Sequence, residues 1–547
     1  MAESTILADR IRTRERLATE PLDVLVVGGG ITGAGVLLEA ARRGLRAGLL
    51  EQDDLAVATS SRTSKLIHGG LRYLEQFQFG LVHDALNERA RLVREAPHLV
   101  RLEPFLVPIY GSPLQLPYIG AGLALYGALG AARGGGIPGF LLPGAARRAS
   151  PALRTRGLRG GALRGAFRYH DGVEDDARLV VAVVRTALAS GGLALTRTRA
   201  TRLVTEGGRV TGVEAEDCLA AERFGIRAGA VVDATGAEGS GGGAEPSFTG
   251  ELDRLTMLRS RGIHLVLPRS RLPGEVGLTI RIPGRVVFVI PWGDVWLLGT
   301  TDHPHEGPSD RPTATPEEAR EVLSVANAVL DVGLSEFDLV ASFAGVRPLV
   351  AGDGSSTVKA PRTHAIREPA PGLLVIRGGK FTTHGTMARD ILDRAGFERR
   401  RPKADDRLVG GSGAAAVRAE AGRLAGAFGV ADDAVSRLVS RYGDEAPSVL
   451  ELGRVRDLLR PLDPEGLYLE AEVAWAVDCE LALSLDDILA RRTRIALERR
   501  DHGAAFASRV AEIAGDRLGW DAARQAAEVR AYVAQAAREY DVPPGID

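Results

Sequence analysis

Cysteine is the scarcest residue type in this chain of 547 residues. Only Cys218 and Cys479 are present, far apart and outside any CxxC or Cys/His cluster. This pattern excludes a disulfide framework, argues against a zinc site and fits a reducing compartment. The N-terminal segment, MAESTILADRIRTRERLATEP, alternates charges and has no apolar core. We therefore expect no secretory signal, no bound metal and a cytoplasmic location.

A large net charge and long hydrophobic runs are missing as well. The formal net charge is -1, so no overall field attracts nucleic acid or an anionic membrane. The stretch from Pro104 to Ala132 is uncharged, but four prolines interrupt its first half, which argues against a transmembrane span. Its second half, Ile119 to Ala132, is either a buried helix or an interfacial helix. In the second case the protein makes peripheral contact with the inner face of the cell membrane.

Lysine is also rare, since Lys65, Lys359, Lys380 and Lys403 are the only four lysines among 69 basic residues. A coding bias toward arginine accounts for the excess of arginine over lysine. Under such a bias, the remaining lysines mark candidate positions at which a compact ammonium group is needed. Lys65 and Lys380 both lie in the motifs described next.

The first motif present is a βαβ unit with a dinucleotide-binding fingerprint. Apolar runs predict strands at 22–27 and 45–51, with a helix at 31–43 between them. The first turn reads Gly28-x-Gly30-x-x-Gly33, and Glu51 ends the second strand. The glycines permit a pyrophosphate to approach a helix N-terminus, and the acid can bond a ribose hydroxyl. The fingerprint predicts dinucleotide binding without choosing between NAD and FAD.

Two more loops have the composition of cofactor contacts. The segment 60–74, SSRTSKLIHGGLRYL, is polar and contains glycine, so it is either a ligand-binding loop or a capped surface loop. Ala234-Thr235-Gly236 follows the apolar residues AVVD. A loop of small residues at the carboxyl end of a strand is where nucleotide sites form in open α/β sheets, although a structural turn has the same sequence.

A further group of cationic residues consists of His264, Arg347, Arg362 and Lys380. Each ends an apolar run or adjoins glycine or proline. Two arginines and a lysine can clamp a phosphate, and a histidine can act as a base near neutral pH. Taken singly, each residue also fits a surface cation or a core histidine.

In combination, these motifs resemble the aerobic, FAD-dependent glycerol-3-phosphate dehydrogenases. The resemblance spans about residues 20 to 535 and rests on five segments in the family's order: SSRTSKLIHGGLRYL (60–74), GTTD (299–302), GVRPL (345–349), GGKFTT (378–383) and LDDILARRT (485–493). It implies an α/β fold: an FAD-binding Rossmann-like domain of the glutathione-reductase type, an antiparallel-sheet substrate domain and a C-terminal α-helical domain.

The resemblance also implies the domain boundaries. We expect interleaved FAD- and substrate-binding parts within residues 20–397, with the substrate part near 104–170 and 255–345. A linker at 398–412, where the composition turns charged and then glycine-rich, precedes the helical domain at 413–547. The chain departs from the family in three places: AEGSGGG at 237–243, Arg261 in place of a common lysine, and Thr363 in place of a common aspartate.

The implied activity is the oxidation of sn-glycerol 3-phosphate to dihydroxyacetone phosphate by hydride transfer to FAD. By resemblance, Arg347 and Arg362 hold the substrate phosphate, and His264, Tyr73 and Lys380 surround the reacting carbinol. We favour His264 as the base over Arg347, because a guanidinium stays protonated. A helix beginning near Thr382 is expected to point its positive end at the flavin. The candidate cofactor-binding residues are Gly28, Gly30, Gly33, Glu51, Ser60, Ser61, Ser64, Lys65, His68, Gly69, Gly70, Thr235, Gly236, Gly379, Lys380 and Thr382.

Two other functions stay open at this stage. One is an FAD oxidoreductase of the same fold that acts on an amino acid or a hydroxy acid. The other is a non-catalytic nucleotide-binding protein. The sequence also leaves the electron acceptor undecided between quinone, oxygen and a dye, and it does not decide whether the protein is a homodimer.

Overall fold

The structure, a computed structural model, describes residues 5–70, 78–131, 136–157, 160–237, 248–249, 252, 257–307, 311–350, 363–398 and 406–546. The strands are β1 (Leu22–Val27), β2 (Ala47–Leu50), β3 (Leu66–Ile67), β4 (Val100–Tyr110), β5 (Gly139–Leu141), β6 (Leu163–Glu174), β7 (Leu193–Leu195), β8 (Thr198–Glu206), β9 (Arg209–Asp217), β10 (Glu222–Asp233), β11 (Met257–Pro268), β12 (Gly277–Ile282), β13 (Arg285–Trp292), β14 (Val295–Gly299), β15 (His303–Pro304), β16 (Ala341–Val350), β17 (His364–Ala370) and β18 (Leu373–Gly378).

The α-helices, numbered in the same way, are α1 (Thr5–Thr19), α2 (Ile31–Arg43), α3 (Phe79–Glu95), α4 (Gln115–Ala131), α5 (Pro143–Ala149), α6 (Asp176–Ala189), α7 (Pro316–Asn327), α8 (His384–Arg394), α9 (Ala414–Ala419), α10 (Ala421–Phe428), α11 (Asp432–Tyr442), α12 (Ala446–Arg456), α13 (Glu470–Glu480), α14 (Ile495–Glu498), α15 (Ala507–Leu518) and α16 (Ala522–Tyr540).

The first sheet is built on five parallel strands in the order β18-β10-β1-β2-β7. Helices α2, α6 and α8 cover one face, and the β8–β9 hairpin with α1 covers the other. Strands buried on both faces read as continuous apolar runs, which is why the sequence predicts β1. The predicted strand at 22–27 and helix at 31–43 are confirmed, whereas the strand predicted at 45–51 is shorter and spans Ala47–Leu50.

The second sheet has the order β15-β11-β14-β13-β12-β4-β6-β3, with β16 also paired to β11. Strands β11 to β14 pair antiparallel, in agreement with the antiparallel sheet expected in the substrate part of the chain. The short pairing of β4 with β12 is parallel, and no local pattern predicts it. In the β11–β16 register, Ser260 lies opposite Arg347 and His264 lies opposite Phe343, which brings the predicted cationic residues onto one sheet.

The residues after 413 are mainly helical, and buried ion pairs fix them against the part of the chain that contains the parallel sheet. Arg491 and Arg492 both contact Asp54, at distances of 2.6 Å. These side chains are almost fully buried, so removing one partner would leave an uncompensated charge. Residues 399–405 of the expected linker lie outside the described residues, so the domain boundaries stay predictions.

Helix α4 is buried on one side and exposed on the other. Ile119, Leu123 and Tyr126 are buried in the core, whereas Tyr118 and Leu125 are 59% and 41% exposed. The helix is therefore packed on one side and presents apolar side chains on the other. Within the part of the chain that the structure describes, no helix is long and apolar enough to cross a membrane.

Candidate functional site

A cavity of about 1000 Å³ runs from the edge of the parallel sheet to the antiparallel sheet. Parallel strands place their carboxyl ends at one edge, and the loops after β1, β2, β10 and β18 all line this cavity. Its far wall comes from β11, β13 and β16. Members of both groups of residues predicted from the sequence, one for the cofactor and one for the substrate, thus line a single cavity.

The glycine fingerprint forms the cradle at one end. Gly28 has φ +112°, and a Cβ there would lie 2.6 Å from the carbonyl oxygen of Ala234. A Cβ on Gly33 would lie 1.9 Å from the carbonyl oxygen of Gly28, so this glycine lets α2 pack against the loop rather than lining the cavity. Gly30 caps α2 without a side chain and faces the cavity. A helix N-terminus open in this way fits a pyrophosphate.

Acidic side chains hold the neighbouring loops. Glu51 accepts hydrogen bonds from the amides of Gly29 (2.6 Å) and Asp53 (2.8 Å) and lines the cavity, as a ribose-binding acid must. Asp233, at the end of β10, accepts from the Thr235 hydroxyl (2.6 Å) and pairs with the buried Arg377 (2.6 Å). The loop with Thr235 and Gly236 is therefore fixed beside the glycine cradle. These residues fit a bound dinucleotide.

The loop from Ser60 to Gly70 supplies both lining and supporting residues. Ser60, Ser64, His68 and Gly70 line the cavity, and the Ser60 hydroxyl accepts from the amide of Ile31 at 3.0 Å. Ser61, Lys65 and Gly69 do not line it.

Lys65 and Gly69 support this loop from behind. The Lys65 ammonium is buried and donates to Asp176 Oδ1 and to the Ser61 carbonyl, both at 2.6 Å. The amide of Gly69 donates to the Tyr126 hydroxyl at 2.9 Å. Among the rare lysines, Lys65 therefore has a buried structural partner, whereas Lys380 lines the cavity.

Arg347 projects from β16 into the cavity, at the antiparallel sheet. Its guanidinium donates to Thr300 Oγ1 (2.8 Å), to the Thr301 carbonyl (3.2 Å) and, over a longer distance, to Ser260 Oγ (3.4 Å). A Cβ on Gly262 would lie 2.3 Å from the guanidinium, so this glycine provides the space that the arginine occupies. A guanidinium held by fixed partners is a preorganised anion-binding group.

His264, two residues further along β11, is only 1% exposed and stacks on Phe343 with 4.9 Å between ring centres. Its Nε2 lies 3.0 Å from Ser64 Oγ. Burial lowers the pKa of His264 well below its usual range, and the charges of Arg347 and Lys65 lower it further. The imidazole is therefore neutral at ordinary pH and can accept a proton.

The residues after β18 complete the cavity. Gly379, Lys380 and Thr382 all line it, and α8 begins just beyond them at His384. The predicted helix near Thr382 therefore starts at the cavity, with its N-terminus toward it. Burial together with the charge of Lys380 lowers the pKa of His68 to about 3.

Some predicted residues cannot be placed. Tyr73 and Arg362 lie outside the described residues, as does most of the unusual segment 237–243. Arg261, which replaces a common lysine of the family, pairs with Glu318 on α7 (2.9 Å) and does not line the cavity.

Sequence reasoning missed several cavity residues. Tyr169, Asp171, Thr279 and Thr300 all line it. Thr300 stands in the GTTD segment, which was a usable signal. The other three lie on β6 and β12, whose approach to the site depends on sheet pairing between distant segments.

Comparison with known proteins gives two family matches. A family profile described as FAD dependent oxidoreductase matches residues 23–394. A second, described as the C-terminal domain of alpha-glycerophosphate oxidase, matches residues 403–525. Together they cover most of the chain, and they agree with the division between the cofactor half and the C-terminal helices.

Individual proteins similar to this chain are glycerol-3-phosphate dehydrogenases. A glycerol-3-phosphate dehydrogenase of Mycobacterium leprae is 40% identical over 539 residues, which is 96% of this chain and 90% of that protein. The human mitochondrial glycerol-3-phosphate dehydrogenase is 32% identical over 542 residues, covering 92% of this chain and 71% of that protein. The solved structure of the glycerol-3-phosphate dehydrogenase from Bacillus halodurans, complexed with FAD, matches with a TM-score of 0.79 and 26% identity over 98% of both chains.

Proposed function

Because the chain belongs to the FAD-dependent glycerol-3-phosphate dehydrogenase family, we propose that it oxidises sn-glycerol 3-phosphate to dihydroxyacetone phosphate. The observation that carries this proposal is the shared cavity, which joins the Gly28–Gly33 cradle to a cationic end with Arg347, Lys380 and a neutral His264. Bound FAD supplies a hydride acceptor, which no side chain can supply.

The residues at the cationic end have separate roles in substrate binding and proton transfer. Arg347 binds the anionic substrate and is held in place by Thr300 and Thr301 before the substrate arrives. Its positive charge also lowers the energy of an alkoxide at the reacting carbon. His264 takes up the hydroxyl proton. We retain Arg362 as the second phosphate ligand and Tyr73 and Lys380 beside the carbinol, on the family resemblance.

A comparison of substrates tests the proposal. Purified, flavin-loaded protein should reduce a dye with glycerol 3-phosphate and should be far slower with glycerol, with an amino acid or with a hydroxy acid. A phosphate dianion needs more positive charge than a carboxylate, and at least two cationic side chains, Arg347 and Lys380, line the cavity. Preference for an amino acid would favour the other oxidoreductases of this fold, and a protein without flavin would favour a non-catalytic nucleotide-binding role.

We also propose that the protein contacts an anionic membrane surface and passes electrons to a quinone there. A patch of large apolar side chains, called the apolar patch, is exposed around α4: Leu114, Tyr118, Leu125, Ile137, Phe140 and Leu142, with exposures from 41% to 89%. Exposed apolar groups concentrated in one short segment are typical of an interaction surface. A membrane-dissolved acceptor is reached most directly from such a surface.

The charge around the apolar patch favours anionic lipid as the partner. Between residues 104 and 170 the sequence has eight arginines and no aspartate or glutamate. Arg168 lies opposite Gly139 in the β5–β6 pair, next to Phe140, and Arg281 lies over the ring of Tyr118. Apolar side chains with arginines at their edge match the acyl and headgroup layers of a bilayer.

A paired substitution tests the membrane contact. Tyr118→Glu with Leu125→Glu should abolish sedimentation with vesicles of phosphatidylglycerol and leave dye-linked activity intact, because both side chains are exposed. Leu123 is unsuitable, since it is buried. Phe337→Glu with Val455→Glu makes the same change at exposed positions elsewhere and should leave vesicle binding unchanged. Wild-type binding by the Tyr118 and Leu125 variant would contradict the proposal.

A further inference from the structure

Ser64 and His264 are paired side chains in the cavity, and Ser64 is the more accessible of the two. Both line the cavity, but His264 is only 1% exposed, whereas Ser64 is partly exposed. The Ser64 hydroxyl lies 3.0 Å from His264 Nε2. A substrate in the cavity can therefore reach the more exposed serine hydroxyl, which lies within hydrogen-bonding distance of the imidazole.

The segment that carries Ser64 is fixed on both sides. The Thr63 hydroxyl donates to Asp176 Oδ2 at 2.8 Å and accepts from the Lys65 amide at 2.9 Å. The Lys65 ammonium donates to the other oxygen of the same carboxylate at 2.6 Å. Side chains on either side of Ser64 are thus anchored to one buried aspartate, which leaves the serine little freedom to move away from the histidine.

The surroundings of His264 fix its ring and keep it neutral before the substrate reacts. Stacking on Phe343 fixes the plane of the ring. Burial lowers the pKa of His264, and the charge of Arg347 on the adjacent strand lowers it further, so the ring is neutral and one of its nitrogens has a lone pair. When the ring proton resides on Nδ1, Nε2 is the acceptor and the Ser64 hydroxyl is its donor. This arrangement leaves the oxygen of Ser64 available to accept a proton from the cavity side.

We propose that Ser64 relays the substrate's hydroxyl proton to His264, an inference that rests on the proposed oxidation of glycerol 3-phosphate. The substrate O–H bond breaks and its proton passes to Ser64 Oγ, while the proton of Ser64 passes to His264 Nε2. Bound FAD would accept the hydrogen on the reacting carbon together with two electrons, and the C–O bond becomes a carbonyl. Serine ends unchanged, and the histidine holds one additional proton.

The relay makes two protons move in one step, which can be measured. In anaerobic rapid mixing with glycerol 3-phosphate, the rate of flavin bleaching is recorded in mixtures of H₂O and D₂O. When the wild-type rate is plotted against the deuterium fraction, it should fall along a curve that bows below the straight line joining its values in H₂O and in D₂O. Ser64→Ala should bleach about 100-fold more slowly, at the low end of the contribution of general acid–base catalysis, and its rate should fall along a straight line. Flavin content and KM should change little.

A matched variant, Ser440→Ala, removes a serine hydroxyl on α11 that donates to the Arg437 carbonyl outside the cavity, and it should behave as wild type.

Two results would overturn the relay. One is a straight line for the wild-type protein, which can be measured even if Ser64→Ala loses its flavin. The other is a wild-type rate of bleaching in flavin-loaded Ser64→Ala. The absence of bleaching in wild-type protein would instead contradict the proposed function.

Discussion

Replacing Arg347 with alanine removes a guanidinium that the protein holds ready for an anion. Its bonds to Thr300 and Thr301 fix the plane of the group, so substrate binding costs little further ordering. One charge-assisted hydrogen bond to phosphate is worth about 1.5–3 kcal/mol. Arg347→Ala should therefore lower kcat/KM about tenfold to a hundredfold. Flavin content should stay normal, because the glycine cradle lies at the other end of the cavity.

The assay is dye-linked turnover over a range of glycerol 3-phosphate concentrations, with inorganic phosphate as an inhibitor. If Arg347 holds the phosphate group, the variant should also lose inhibition by inorganic phosphate. The matched control is Arg269→Ala, whose guanidinium lies over the ring of Trp296 at 4.0 Å, outside the cavity. Wild-type kinetics in Arg347→Ala, or a phosphate inhibition constant that does not change, would refute the phosphate clamp.

Three further predictions concern the cofactor cradle and the buried core. Gly30→Val should fold but purify without FAD, whereas Gly225→Val, at a strand position with open space, should keep it; full flavin absorbance in the first variant would contradict the cradle. Burial lowers the pKa of His98 to about 3 in the folded protein, whereas in the unfolded chain the pKa is the ordinary 6.5. Between pH 7.5 and pH 5 the proton therefore binds only the unfolded chain, and the free energy of unfolding of the wild type should fall by about 2 kcal/mol. Urea unfolding should show that His98→Gln lacks this loss, and equal losses in both proteins would refute it. Tyr126→Phe removes the hydroxyl that donates to the Asp171 carboxylate. In the same assay, this variant should lose about 1–3 kcal/mol of unfolding free energy. An unchanged unfolding free energy would mean that the other donors fully satisfy the carboxylate.

Local patterns predicted the parts of the fold whose residues are close in sequence. The apolar run of β1 and the spacing of α2 predict the first βαβ unit, and short apolar runs predict strands in the region of β11 to β14. The parallel pairing of β4 with β12 and the contacts of Arg491 and Arg492 with Asp54 were not predictable in this way. Such contacts join segments far apart in sequence, and a local pattern does not show which distant segment each will meet.

The candidate site shows the same division. Motifs predicted that Gly30, Ser64, His264 and Arg347 belong to a site, and all four line one cavity. They did not predict that His264 is almost fully buried and pairs with Ser64, because that hydrogen bond joins residues 200 positions apart. Nor did they predict that Lys65 is buried in an ion pair with Asp176 rather than lining the cavity. Residue type indicated the chemistry, but the orientation of each side chain depended on strand pairing.

The central claim is that this cavity transfers a hydride from glycerol 3-phosphate to FAD. An anaerobic titration of the flavin-loaded protein tests it most directly. Each equivalent of glycerol 3-phosphate should bleach the oxidised-flavin absorbance by a fixed amount until the flavin is fully reduced, with one dihydroxyacetone phosphate formed per flavin. Flavin that stays oxidised in excess glycerol 3-phosphate, or bleaching without that product, would contradict the account.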